Sequence, residues 1–86
     1  MKNTRKQSMS GGTWIIGTEE FDGEREIKIE ILVFDEGSIY GISEGKISKL
    51  YITLGDETLA WYDRGWDTEP TEEVRPIYES IIAEFN

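Results

Sequence analysis

Eighty-six residues with 37% hydrophobic content and ten aromatics bound one small domain with a modest core, near the lower limit of independent folding. The chain has no Cys and no His, which excludes disulfides, Cys/His zinc sites, thiol nucleophiles and Ser-His triads. The formal net charge is −9, and Lys2, Arg5 and Lys6 supply three of the nine cations before the first acid, so the body is more acidic still; it repels phosphates and anionic lipid, and suits a basic protein, a cation, or solubility alone.

Residues 1–10 are polar and basic, without periodicity or the apolar middle of a signal peptide, and read as a disordered tail before a single α+β domain over residues 11–86. No apolar run approaches the ~18 residues of a membrane span. Thr13–Thr18, with Trp14, Ile15 and Ile16, is a strand candidate. Asp22-Gly23 marks a hairpin turn in which Gly supplies a positive φ. Glu26–Phe34 is the clearest strand: Ile27, Ile29, Ile31 and Val33 alternate with Glu26, Lys28, Glu30 and Leu32, a period of two with high β-branched density. Asp35–Gly45, with three glycines, reads as a loop holding one extended piece around Ile39–Ile42. Lys46–Leu54 is a third strand, Gly55-Asp56-Glu57 a turn, and Thr58–Asp63 a fourth strand. Thr71–Phe85 carries Val74, Ile77, Tyr78, Ile81, Ile82 and Phe85 on one stripe of a helix, with Thr71 placed to cap it and Glu72 and Glu73 near its positive end.

The expected fold is a four-stranded, mostly antiparallel meander with the C-terminal helix packed on one face. A small open barrel plugged by the helix is the alternative. One helix covers one face, yet several strands carry apolar residues on both. The uncovered face should therefore be partly apolar and engage a second copy or another protein, unless strong curl hides it.

The stretch Tyr62–Thr71 turns the chain from sheet to helix and concentrates groups able to touch a partner. Arg64 is a planar donor fork and Trp66 a large flat apolar surface, both frequent interface anchors. The same residues have a structural use: Arg64 pairing with Asp63 or Asp67, Trp66 covering the helix end. Asp35 and Glu36 end the second strand, and with Asp63 and Asp67 they form a candidate carboxylate cluster. The spacing of a dedicated calcium loop is missing. Gly41–Ser48 has the flavour of a phosphate loop but the wrong spacing, and it leads into a strand. Glu24, Glu26 and Glu30 lie on the first hairpin at a spacing close to that of phosphates along a nucleic acid strand, interrupted by Lys28; a solvated sheet edge explains them equally.

The runs Val33–Ile42, Gly45–Leu50 and Tyr62–Thr71 resemble a family of short uncharacterised proteins from phages and other mobile elements of Gram-positive bacteria. The resemblance covers roughly residues 13–85. It implies expression in the cytoplasm of a bacterial host, where small acidic proteins block defence systems by occupying basic nucleic-acid grooves. The expectation is a non-enzymatic, cofactor-free inhibitor of a basic, nucleic-acid-handling host protein such as an RNA-guided nuclease. Asp35, Glu36, Asp63, Arg64, Trp66 and Asp67 would be its partner-binding residues. It would bind neither nucleic acid nor membrane. A homodimeric accessory domain and a small-ligand or metal binder are the other readings.

Overall fold

A computed structural model describes all residues, Met1–Asn86. Six strands run in chain order: β1 (Lys2–Met9), β2 (Gly12–Glu20), β3 (Glu26–Phe34), β4 (Ile47–Leu54), β5 (Glu57–Asp63) and β6 (Trp66–Thr68). Each pairs antiparallel with the next, giving one six-stranded sheet in the order β1-β2-β3-β4-β5-β6. A single α-helix, α1 (Arg75–Phe85), follows. The expected four-stranded sheet is therefore corrected by two edge strands, and because β1 does not pair with β6 the sheet is open rather than a barrel.

Both added strands lacked the pattern that betrays a strand. The segment read as a disordered tail is β1, exposed along its whole length. It has no apolar face to bury. What holds it is the outer edge of β2, whose backbone groups need partners, and Gly11, whose φ of +77 turns the chain back at once. Charge helps: the Met1 ammonium lies 3.8 Å from Glu19, and Lys2 lies 3.6 Å from Glu26. The other added strand, β6, is three residues long and arises inside the expected turn, after Arg64 takes a left-handed φ of 59.

The strand alternation of β3 decides the layering. Ile27, Ile29 and Ile31 are fully buried on one face, where they pack with Ile15, Leu50, Ile52, Ala60 and Tyr62 of neighbouring strands. Helix α1 lies on this face and contributes Ile81, with Val74 just before it. Each buried aliphatic side chain contributes roughly 1.5–3 kcal/mol of transfer free energy, so this layer supplies most of the hydrophobic stabilisation.

The helix is shorter than its stripe. Residues 72–74 form a turn, and regular helix starts at Arg75 with Pro76 in the first positions, where its missing N–H costs nothing. Thr71 does not cap it: its Oγ1 is buried without a partner, while its backbone N–H donates to the Leu59 carbonyl at 3.1 Å. The connection is thus pinned to β5 before the helix begins. The expected extended piece near Ile39 is instead a turn leading into a 3-10 turn over Ile42–Glu44. The Asp22-Gly23 hairpin forms with Gly23 at φ +87, and the Asp22 carboxylate accepts from the backbone N–H of Glu24 and Arg25.

Candidate functional site

An antiparallel meander sorts its connections to two ends. One end holds the β1–β2 turn, the β3–β4 loop and the β5–β6 turn. The sequence-derived partner residues all belong to this end: Asp35 and Glu36 follow β3, and Asp63, Arg64, Trp66 and Asp67 straddle the β5–β6 turn. The fold nevertheless points them in different directions. Trp66 turns toward the helix side, its ring 4.9 Å from Tyr62 and 5.6 Å from Tyr78, both edge to face. Asp63 projects onto the opposite face and pairs with Lys49 at 3.7 Å. Asp67 occupies the extra position of a bulge in the edge strand β6. Arg64 lies over the Tyr40 ring at 5.1 Å, joining the turn to the long loop. Asp35 and Glu36 line a shallow depression with Gly11, Phe34, Gly37 and Ser38. No three acidic side chains gather in a geometry able to hold a metal ion, so Asp35, Glu36, Asp63 and Asp67 do not form the candidate carboxylate cluster.

The other end is acidic in a way that one-dimensional reading understates. Asp22 and Glu24 come from the β2–β3 turn, Asp56 and Glu57 from the β4–β5 turn, and Glu69, Glu72 and Glu73 from the β6–α1 connection. Fewer cations share this end: Arg75 at the start of α1, Lys2 and the Met1 ammonium beside β2 and β3, and, in the β2–β3 turn itself, Arg25. Its Nε donates to Asp22 at 2.8 Å and its guanidinium pairs with the same carboxylate at 2.6 Å. The Arg25 side-chain hydrogen bond lowers the Asp22 pKa. That bond, the Asp22 charge, and then the more distant fields of Glu57 and Glu73 raise the Arg25 pKa. Fields from three separate connections thus converge on one side chain. Sequence reading marked the first hairpin alone. Only the antiparallel order of β2 to β6 shows that the other two turns share its end.

The face of the sheet away from the helix has a third character. Trp14, Tyr51 and Trp61 form a row across β2, β4 and β5: Tyr51 and Trp61 stack with centroids 3.9 Å apart, and Trp14 lies 6.2 Å from Tyr51. Ile16, Leu32 and Phe34 lie on the same face by register. Around this row the register places Lys2, Arg5, Lys28 and Lys49 against Glu20, Glu26, Glu30 and Asp63. Three pairs form among them: Lys2–Glu26, Lys28–Glu30 at 3.8 Å, and Lys49–Asp63. The phosphate-like row of Glu26 and Glu30 is therefore matched by cations. This face is charge-balanced, and the net −9 is carried by the rest of the surface.

Residues 13–86 match a family model described as a domain of unknown function, DUF7678. The chain belongs to the DUF7678 family. The matched segment runs from Thr13 and holds the aromatic row, the acidic end and the helix, while β1 precedes it. No curated protein and no solved structure matches the chain. Family membership thus marks the shared segment, residues 13–86. No helix is long and apolar enough to cross a membrane.

Proposed function

We propose that this DUF7678 protein is a non-enzymatic binding protein of mobile-element origin that works in the cytoplasm of a bacterial host. Its acidic end engages a basic, nucleic-acid-handling host protein, with an RNA-guided nuclease as the leading class, and so blocks a defence system. The observation that carries this reading is the segregation of charge. Seven acids from three connections share one end, where Asp22, Glu57 and Glu73 all act on Arg25, while the broad open face is neutral. Charge spread only for solubility has no reason to divide in this way. A concentrated negative pole presents to a basic groove the potential that a nucleic acid backbone presents, and it steers encounter. At the opposite end Asp35, Glu36, Asp63, Arg64, Trp66 and Asp67 offer a mixed polar and aromatic perimeter for secondary contacts.

The test is capture from host lysate at low and high salt, followed by competition with duplex nucleic acid. A nucleic-acid-handling protein recovered at low salt, released as salt rises and displaced by duplex supports the proposal. Reversing Glu57 and Glu73 to Lys should cut its recovery at least about tenfold. Recovery of no basic partner at either salt overturns it.

A further inference from the structure

We infer that the open sheet face, with the row Trp14, Tyr51 and Trp61 at its centre, docks a second copy of this chain. Three observations select that occupant. The first is apolar surface: the half-buried rings of Trp14, Tyr51 and Trp61, with Ile16, line a face that no helix covers, next to a buried Leu32. Sheet faces of this kind pack against another sheet about 10 Å away.

The second is charge. A strongly basic partner suits the acidic end, but it gains nothing from a face whose four cations and four acids cancel. A second copy carries the same balanced set. Two such faces meet without net repulsion, and Glu30, which the register sets between Ile16 and Tyr51, enters the contact already paired with Lys28. A two-fold contact needs this kind of self-complementarity.

The third is area. Strands β1 to β5 at ~4.8 Å spacing and ~26 Å length present ~500 Å² in projection per copy. A pair then buries on the order of 1,000–1,300 Å², the size at which specific interfaces begin. The expected dissociation constant is on the order of micromolar. This surface is separate from the acidic end, so the dimer can stand or fall independently of the proposed partner.

Salt distinguishes the two. The poles of two copies, each chain carrying −9, repel at long range, so screening should strengthen the dimer. Screening should weaken an acidic-end complex. Light scattering on the full chain from ~1 µM to ~1 mM should show a monomer–dimer equilibrium that tightens with salt, bracketing the affinity expected for this area. Two variants locate the interface. Trp61→Lys removes the end of the row. The double reversal Lys28→Glu with Lys49→Glu keeps the apolar row and makes the face negative. Each should raise the dissociation constant at least about tenfold, with the circular dichroism of the folded chain retained. A monomer throughout the range overturns the inference. So does a dimer that neither variant affects, or one that dissociates as salt rises. A foreign protein bound at this face of a monomeric chain overturns it as well.

Discussion

The side chain of Asn86 joins the helix end to the start of β4: its Oδ1 accepts the Ile47 backbone N–H at 2.9 Å, across 39 residues of chain. Its Nδ2 donates to the Ile42 carbonyl at 2.9 Å, so one amide ties the 3-10 turn to the sheet. Both backbone groups belong to buried residues that have no water to fall back on. Asn86→Ala should destabilise the fold by about 1–3 kcal/mol in urea unfolding. Asn86→Asp should lie between wild type and Ala, because a carboxylate keeps the acceptor and loses the donor. Equal stability of all three would show that the clamp does not form.

Gly41 answers to the same loop. A Cβ there would meet the backbone carbonyl of Gly45, because the two limbs of the loop close on each other, and backbone cannot move aside as a side chain can. Its φ of −79 is open to any residue, so space rather than conformation demands glycine. Gly41→Ala should cost about 2 kcal/mol or more and raise hydrogen exchange at Glu44 and Gly45, whose N–H groups donate to Gly41 and Ile42.

The legible part of the fold was the part built from alternation. Ile27, Ile29 and Ile31 betray β3 because each apolar side chain faces one core. The stripe from Val74 to Phe85 betrays the helix for the same reason. β1 was illegible because Lys2–Met9 is held by backbone pairing and edge charge, and neither leaves a periodic trace. Thr71 misled because a capping residue is recognised by type, while Pro76 and the bond to Leu59 set where the helix starts. Of the candidate site, the density of groups around Tyr62–Thr71 was visible. The direction of each side chain was not, because the bulges at Trp61/Tyr62 and Leu32/Val33 change which face follows which residue. The apolar second face, by contrast, could be read from Trp14, Leu32 and Tyr51 directly.

Three tyrosines make the fold sensitive to alkali. Burial pushes the hydroxyls of Tyr51, Tyr62 and Tyr78 above the ordinary value of 10.0. Tyr62 is 6% exposed and donates to the Tyr40 carbonyl at 2.8 Å, a bond that ionisation destroys. A pKa higher in the folded state means that the unfolded chain releases its proton first. Stability from this source is therefore full below pH ~10 and falls as pH rises through the raised folded values. Urea unfolding from pH 8 upward should show this decline. Tyr62→Phe should lose about 1 kcal/mol at neutral pH and decline less steeply in alkali. An unchanged alkaline slope in Tyr62→Phe would remove Tyr62 as a source.

Trp66 is 37% exposed, and sequence reading set interface anchor beside structural cover. Its edge contacts with Tyr62 and Tyr78 are the only aromatic bridge between sheet and helix. Aromatic pairs of this geometry are worth ~0.5–1.5 kcal/mol beyond the area they bury. Trp66→Ala should therefore destabilise the isolated chain by about 2 kcal/mol. Unchanged stability would free the ring for a partner and return it to the role of anchor.

β1 offers the sharpest separation between the domain and its edge. It precedes the segment shared with the family, buries no residue of its own and covers the outer side of β2. Its backbone bonds replace bonds to water, so their net worth is small. A chain of residues 11–86 should therefore unfold cooperatively, with stability lowered by no more than about 1–2 kcal/mol. What it should lose is protection of the edge. Bare β2 presents unpaired N–H and C=O groups beside Trp14 and Ile16, a template for strand pairing between copies. Light scattering should then detect open-ended association in place of a closed dimer. Polar β1, with Lys2, Arg5 and Lys6 along it, resists adding a further strand, because its own outer edge is charged. A truncated chain that fails to fold would show instead that β1 nucleates the sheet, and its contribution would have to be counted with the core.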